Sequence, residues 1–113
     1  MKGADAEHRA LAHLQDAGHE LLSRNYRVRG GEIDLITRHA GVIVFTEVKH
    51  RTRAEHGDPL ESITPRKAAL LRRAALQYLL RHFGTDDVRC RFDVVSITGS
   101  VGNGRLVHIE SAL

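Results

Sequence analysis

Two apolar, β-branched runs constrain the fold of this chain most, because only a short glycine-containing break separates them. The first run covers residues 32–37 and the second covers residues 42–49, with Ala40 and Gly41 between them. Runs of this kind on either side of a tight turn predict a β-hairpin. Apolar residues at successive positions indicate that both faces of these strands are covered.

The register of this hairpin makes a sharp prediction about four charged residues. With Ala40 and Gly41 as the two-residue turn, Asp34 lies opposite Glu47 and Glu32 lies opposite Lys49. Opposed side chains share a face of the sheet, and so do residues two apart along one strand. All four side chains are therefore expected on one side, and a shift of one residue in the register would separate them.

A cluster of carboxylates with an ammonium indicates metal-dependent phosphodiester chemistry. Close carboxylates repel one another, and a divalent cation offsets that repulsion. Oxygen ligands suit Mg²⁺ or Mn²⁺. Such an ion activates water, and a neighbouring lysine can orient that water and stabilise charge in the transition state. The alternative is an exposed hairpin end with Glu–Lys cross-strand pairs, each worth at most about 1 kcal/mol. The pattern alone leaves both interpretations open.

Two helices are predicted outside the hairpin. Apolar residues at helical spacing predict a first helix over residues 3–17. Thr64 and Pro65 form the start signal of a second helix, with Thr64 as the N-cap and Pro65 at the first helical position. This helix is expected to run to about Phe83 and to stop at Gly84.

Further strands complete an α/β domain. They are expected over residues 20–29 (with an irregularity at 23–25), 91–98 and 106–109, and residues 50–62, which include Gly57 and Pro59, are expected to form a loop. A strand–helix–strand step predicts a parallel crossover, whereas the hairpins give antiparallel neighbours. We therefore expect one domain over residues 1–113 with a central mixed sheet flanked by helices.

Composition narrows the class of function only slightly. The formal net charge is +3, a mild basic excess that is compatible with nucleic-acid binding. A single cysteine excludes an intrachain disulfide and a Cys-rich zinc site, and no two of the eight histidines have the spacing of a helical two-His metal site. No apolar run approaches the roughly 20 residues that span a bilayer, and the N-terminus lacks the apolar core of a secretory signal. We therefore expect a cytoplasmic protein without a membrane partner.

A family resemblance runs through nearly the whole chain, and its most specific parts are the blocks at residues 31–36 and 47–49. Other residues that carry it are Gly3, Glu7, Ala10, Leu14, Arg24, Asn25, Arg29, Phe45, Arg51, Gly57, Lys67, Ala74, Ala75, Tyr78, Leu79 and residues 91–95. On these residues the chain resembles the YraN-type family of small bacterial proteins. That family belongs to the PD-(D/E)XK restriction-endonuclease-like superfamily and is similar to archaeal Holliday junction resolvases. Ala6 and Thr46 depart from the family pattern, and neither departure removes a ligand.

The resemblance implies a restriction-endonuclease-like αβββαβ core and a set of site residues. Asp34 and Glu47 would bind Mg²⁺ (or Mn²⁺), with the backbone carbonyl of Val48 as a third ligand. Lys49 would be the catalytic lysine, and Glu7 would match the extra acidic residue of resolvase-like members. Without the resemblance, Glu7 reads as an exposed glutamate favoured by the helix dipole. Resolvase-like relatives also imply a homodimer.

The expected function is a metal-dependent endodeoxyribonuclease that acts on branched or structured DNA. The alternative is a non-catalytic module on the same fold that binds nucleic acid or a partner in DNA maintenance. Basic residues would contact backbone phosphates without reading sequence, and they are Arg24, Arg27, Arg29, Arg51, Arg53 and Lys67. For Lys67 the alternative is a solvated helix face. Asp93, between core residues, is expected to have a structural hydrogen-bonding role.

Overall fold

The computed structural model describes residues 2–52, 60 and 63–113. Two helices and five strands lie within these residues, and their bounds are α1 Lys2–Asp16, β1 Glu20–Val28, β2 Gly31–His39, β3 Val42–Arg51, α2 Pro65–Phe83, β4 Cys90–Thr98 and β5 Arg105–Ile109. The strand β3 is longer than predicted and takes in two residues of the expected loop. The rest of that loop, including Gly57 and Pro59, lies almost wholly outside the described residues.

The strands form one mixed sheet in the order β1–β2–β3–β4–β5. Neighbours along the chain are antiparallel, except that β3 and β4 pair in parallel. A parallel neighbour needs a long crossover connection, and α2 lies in that connection. The prediction of a mixed α/β sheet is confirmed, and the arrangement is consistent with a restriction-endonuclease-like fold.

The two helices cover opposite faces of this sheet. Leu14 of α1 packs in one core cluster with Leu35 and Val95, whereas α2 packs in a second cluster with Ile36 and Phe45. Because Leu35 and Ile36 are adjacent in β2, their side chains point to opposite faces. All five side chains are at most 1% exposed, and burial of one such side chain contributes roughly 1.5–3 kcal/mol.

The hairpin between β2 and β3 has the predicted turn and register. Ala40 and Gly41 both have positive φ, at 51° and 78°, which is typical of the type I′ turn that matches the twist of a hairpin. The pairs from His39–Val42 to Leu35–Thr46 follow the predicted register. This short turn therefore determines which residues of the two strands face each other.

The helix α2 begins and ends where its capping signals predicted. The Thr64 side chain accepts a hydrogen bond from the Lys67 N–H at 3.1 Å, and Pro65 occupies the first turn. Gly84 adopts the left-handed conformation with φ 72°, and its N–H donates to the Leu80 carbonyl. The N-cap fixes Lys67 in the first turn of the helix, where it faces the sheet.

Neither α1 nor α2 is long and apolar enough to cross a bilayer.

Candidate metal centre

The centre of the candidate site is a pair of carboxylates on neighbouring strands. The side chains of Asp34 on β2 and Glu47 on β3 lie within hydrogen-bonding distance of each other. Glu47 is only 7% exposed, and Asp34 is partly buried. The hairpin therefore brings the two predicted ligands together.

The ladder between β2 and β3 stops just before this pair. Its last backbone pair is Leu35–Thr46, and beyond it the Val48 N–H donates to Asp34 Oδ2 at 2.8 Å. A side-chain oxygen thus takes the place of a backbone acceptor. The predicted cross-strand pairing of Glu32 with Lys49 is therefore wrong. Glu32 instead forms an ion pair with Arg27 of the neighbouring strand β1, at 2.6 Å.

Two lysines converge on one oxygen of the pair. Lys49 Nζ lies 3.2 Å from Glu47 Oε2, and Lys67 Nζ lies 2.5 Å from the same atom. Lys49 follows Glu47 on β3, whereas Lys67 comes from α2. From the sequence, Lys67 is predicted either to contact phosphate or to lie on a solvated helix face. Lys67 lies four residues before the buried Leu71 and therefore on the same face of α2, and this spacing is a sequence signal that points inward.

The two carboxylates differ in protonation. Burial, reinforced by the charge of Glu47, raises the pKa of Asp34 to about 8. Burial also acts to raise the pKa of Glu47, but hydrogen bonds with Asp34 and Lys67 and the charges of both lysines outweigh it and lower that pKa. At neutral pH without a metal, Asp34 therefore keeps its proton and shares it with the Glu47 carboxylate.

The two lysines also differ. Burial lowers the pKa of Lys49, and the neighbouring Lys67 lowers it further against the opposing charge of Glu47. Burial acts in the same direction on Lys67, but its hydrogen bond to Glu47 and the surrounding negative charge raise its pKa overall. Lys67 therefore keeps its proton more firmly than Lys49 does.

The residues present fit a magnesium-type ion. The raised pKa of Asp34 means that the pair does not hold two negative charges unless positive charge is added. Within residues 2–52, 60 and 63–113, no three His, Cys, Asp or Glu side chains converge closely enough to hold a metal. Mg²⁺ is commonly bound by one or two carboxylates and keeps several waters. The Val48 carbonyl points to the same edge of β3 as the N–H that reaches Asp34, so it can join this set.

Glu7 lies at the rim of the site rather than beside the pair. Its Oε1 accepts a hydrogen bond from Asn25 Nδ2 at 2.9 Å, and it lines a cleft of about 390 Å³ together with Asp34, Glu47 and Lys49. Its charge makes a smaller contribution to the raised pKa of Asp34, after burial and Glu47. The structure thus brings Glu7 to the cleft without direct contact to the pair.

An irregularity in β1 gives Asn25 its position next to the site. Asn25 has a left-handed φ of 50° and lies between the pairs Arg24–Leu35 and Tyr26–Ile33, across from Asp34. Asparagine is one of the few residues that adopt this conformation readily. The predicted irregularity at residues 23–25 is therefore real, and a register shift between Leu21 and Ser23 accompanies it.

The cleft lined by Glu7 is here called the α1-side cleft, and a second one, the α2-side cleft, also reaches both Asp34 and Glu47. The second, of about 400 Å³, lies against the start of α2 and is lined by Gly30, Gly31, Glu32, Asp34, Glu47, Thr64, Arg66, Lys67, Leu70 and Leu71. Asp34, Glu47 and Lys67 line both clefts. Lys67 therefore lies on the boundary between them.

The predicted phosphate-contacting arginines are spread around the site. Arg24 contacts His8 at 3.3 Å, and Arg27 is bound to Glu32 although its side chain is 80% exposed. Such an exposed pair contributes little and opens easily. Arg29 is exposed, and Arg51 ends β3 beyond Lys49. The prediction for Arg53 lies outside the described residues.

Asp93 forms a separate, satisfied cluster, as predicted. Its buried carboxylate accepts hydrogen bonds from Arg91 Nε at 3.0 Å, from His108 Nε2 at 2.8 Å and from the Ser111 N–H at 3.1 Å. Burial acts to raise the pKa of Asp93, but these partners lower it overall. Asp93 is therefore a structural anion and no part of the candidate metal centre.

Comparison with known proteins places the chain in a family. A model described as "Uncharacterised protein family UPF0102" matches residues 6–97, which include Asp34, Glu47, Lys49 and Lys67. A UPF0102 protein of Deinococcus radiodurans is 53% identical over 112 residues, covering 96% of this chain and 91% of the relative. Those of Alkalilimnicola ehrlichii and Nitrosococcus oceani are 52% and 44% identical, covering 86% and 98% of this chain and 77% and 90% of the relatives. The chain therefore belongs to the uncharacterised protein family UPF0102.

Proposed function

We propose that this protein is a metal-dependent endodeoxyribonuclease of the PD-(D/E)XK type that hydrolyses phosphodiester bonds in branched or structured DNA. One observation carries the proposal. Asp34 and Glu47 approach each other on adjacent strands, and Lys49 Nζ lies 3.2 Å from Glu47. This combination of oxygen ligands and an ammonium is what metal-assisted attack on phosphorus requires.

Each residue of this group has a distinct role in the proposed reaction. Asp34, Glu47 and the Val48 carbonyl would hold Mg²⁺ or Mn²⁺. When bound, the ion supplies Lewis acidity and lowers the pKa of water. Lys49 hydrogen-bonds a water in the cleft, orients it towards phosphorus and stabilises the charge that develops on the phosphate oxygens. Glu7, at the rim, orients further water through its carboxylate.

The DNA would lie over the clefts and contact the surrounding arginines. Arg24, Arg29 and Arg51 are proposed to bind backbone phosphates, together with Arg53. Arg27 joins them once DNA displaces its exposed partner Glu32. Because these are phosphate contacts, they would hold DNA without reading its sequence. We further propose a cytoplasmic homodimer, in which two such sites face the two strands of a branched substrate.

A second candidate function is a nucleic-acid-binding module without catalysis. One observation favours it: in the described part of the chain, no third carboxylate joins Asp34 and Glu47. Such a module would use the same basic residues, and a metal there would only support DNA binding. The two functions therefore differ in turnover and not in affinity.

A nuclease panel separates the two functions. Four-way junction, flap, single-stranded and duplex DNA are incubated with Mg²⁺ or Mn²⁺, and products are resolved on denaturing gels. We expect cleavage of at least one branched substrate. Lys49→Ala should reduce the cleavage rate by roughly 10²–10⁴-fold and should leave DNA affinity nearly unchanged.

The control for this panel is Arg105→Ala, at an exposed position on the edge strand β5, which should cleave like the wild type. DNA binding without cleavage of any substrate, with either metal, would favour the non-catalytic module. Parallel loss of binding and cleavage in Lys49→Ala would remove the role given to Lys49.

A further inference from the structure

We infer that Lys67 is a built-in counter-ion of the acidic pair, which leaves Glu47 when a divalent ion binds and then contacts a DNA phosphate in the α2-side cleft. This inference rests on the proposed function, and it adds a step that couples metal loading to substrate binding. It assigns a role to a lysine outside the Asp34–Glu47–Lys49 group.

The position of Lys67 is that of a competitor for the metal. Its Nζ lies 2.5 Å from Glu47 Oε2, which is closer than Lys49 at 3.2 Å. A divalent ion bound to that carboxylate would lie within a few ångströms of the ammonium. Their repulsion is twice that of two unit charges at the same distance. The metal and Lys67 therefore compete for Glu47.

Lys67 is also the lysine that is better able to move. Its side chain is 36% exposed, whereas that of Lys49 is 21% exposed. It projects from the first turn of α2 and lines both clefts, so a rotation of its flexible stem carries Nζ from one cleft into the other. Lys49 is held on the same strand as Glu47 and lines only the α1-side cleft.

The α2-side cleft offers the released ammonium a new partner. Arg66 lines the same cleft, so a backbone phosphate there would meet two cations. The phosphate removes Lys67 from competition for Glu47 and thereby strengthens metal binding. By linkage, bound metal strengthens the contact between Lys67 and DNA by the same factor.

The first test measures metal affinity without DNA. Mn²⁺ binding to the whole chain is followed by the loss of the free-ion signal in electron paramagnetic resonance. Lys67→Met keeps most of the side-chain volume and removes the charge, and it should bind Mn²⁺ roughly tenfold more tightly, within the usual range for coupled sites. Lys67→Arg keeps the charge and should bind Mn²⁺ like the wild type.

Arg72→Met is the matched control, because Arg72 is an exposed cation on the same helix and lines neither cleft. Its Mn²⁺ affinity should equal that of the wild type. Equal or weaker Mn²⁺ binding by Lys67→Met would overturn the inference, and so would tighter binding by Arg72→Met to the same extent. Thermal unfolding of each variant establishes that the proteins compared are folded.

The second test uses the salt dependence of junction binding. With Ca²⁺ as an oxygen-ligated ion, Lys67→Met should lower the slope of log affinity against log salt by about one relative to wild type. In EDTA the two slopes should agree, because Lys67 is then bound to Glu47. A lower slope in EDTA as well, or no change with Ca²⁺, would contradict the proposed movement.

These results separate the inference from the proposed function. Tighter Mn²⁺ binding by Lys67→Met without cleavage in the nuclease panel would support the counter-ion role and reject the nuclease. Cleavage by wild type with unchanged Mn²⁺ affinity in Lys67→Met would support the nuclease and reject the counter-ion role. Absence of Mn²⁺ binding in both proteins would overturn both.

Discussion

Two acidic groups of this sheet, Asp93 and the Asp34–Glu47 pair, lie on opposite faces and behave in opposite ways. The parallel register pairs Thr46 with Asp93, so Asp93 shares the face of Thr46 and not that of its neighbour Glu47, because side chains alternate along a strand. Protein donors surround Asp93, and its pKa is lowered in spite of burial. Asp34 has the Val48 N–H and a second carboxylate as neighbours, and its pKa is raised to about 8.

This difference shows how the surroundings of a buried carboxylate distinguish a structural role from a ligand-binding role. Burial disfavours charge in both regions, and the number of donors decides the outcome. A carboxylate whose partners are all supplied by the protein stabilises the fold. A pair that lacks enough positive charge stabilises it poorly, and such groups mark places where a ligand completes the structure.

Histidines extend the hydrogen-bonded region around Asp93, called the satisfied region below. His108 Nδ1 lies 3.2 Å from His13 Nε2, which links Asp93 to α1. His19 is buried, stacks on His39 with ring centroids 4.3 Å apart and contacts Thr37 at 2.8 Å. Burial lowers the pKa of His19 to about 4, so it stays neutral at physiological pH. These histidines are therefore hydrogen-bonding groups of the fold.

The largest expected effect tests the satisfied region. Asp93→Asn removes the buried anion and leaves the partly buried Arg91 with the more distant and exposed Glu110 carboxylate, at 3.7 Å, as its charged partner. The free energy of unfolding should fall by about 3–5 kcal/mol, as for other broken buried pairs. Urea unfolding at pH 7 measures it, with Asp86→Asn in an exposed turn as the control. A loss below about 1 kcal/mol would mean that Asp93 is not the anchor described above.

The intermediate effect has the opposite sign and tests the acidic pair. The folded protein keeps a proton on Asp34 up to about pH 8, whereas the unfolded chain releases it near the ordinary value of 3.8. Between these values the folded state binds more protons, so this contribution to stability declines as pH rises. Asp34→Asn abolishes the decline and should raise the free energy of unfolding by about 1–3 kcal/mol at pH 8.

Urea unfolding at pH 5 and pH 8 in EDTA measures this change as the difference between Asp34→Asn and wild type, which cancels the titration of His19. The lowered pKa of Glu47 makes stability depend on pH only below about its ordinary value of 4.5. Its contribution is therefore constant between pH 5 and pH 8. The exposed Asp87→Asn is the control and should leave both values unchanged. A less stable Asp34→Asn protein at pH 8 would show that the two acidic regions do not differ as described.

The smallest expected effect concerns the helix that carries Lys67. Thr64→Ala removes the acceptor of the Lys67 N–H and should lower the free energy of unfolding by about 1 kcal/mol. Amide hydrogen exchange should accelerate in the first turn of α2 and remain unchanged around Asp93. Thr85→Ala, which removes a similar bond to the Asp87 N–H in an exposed turn, is the control. Faster exchange around Asp93 in Thr64→Ala would indicate that the two regions are mechanically linked.

Local patterns in the sequence determined the register of the β2–β3 hairpin and the ends of α2. The two residues of the β2–β3 turn set the register that brings Asp34 and Glu47 together, because side chains alternate strictly along a strand. Thr64 and Gly84 marked the ends of α2, since capping depends on residues that are close in sequence. The Asp34, Glu47 and Lys49 group was predictable for the same reason.

Tertiary structure decided which distant groups complete each region. Lys67 reaches Glu47 only because the crossover lays α2 across the end of the β2–β3 ladder. Asn25 reaches Glu7 only because β1 adopts a left-handed turn beside α1. These contacts depend on the angles and distances at which helices and strands pack, and the spacing of residues along the chain does not give those angles and distances. The pairing of Asp34 with Glu47 therefore follows from the sequence, whereas the approach of Lys67 to this pair follows from packing.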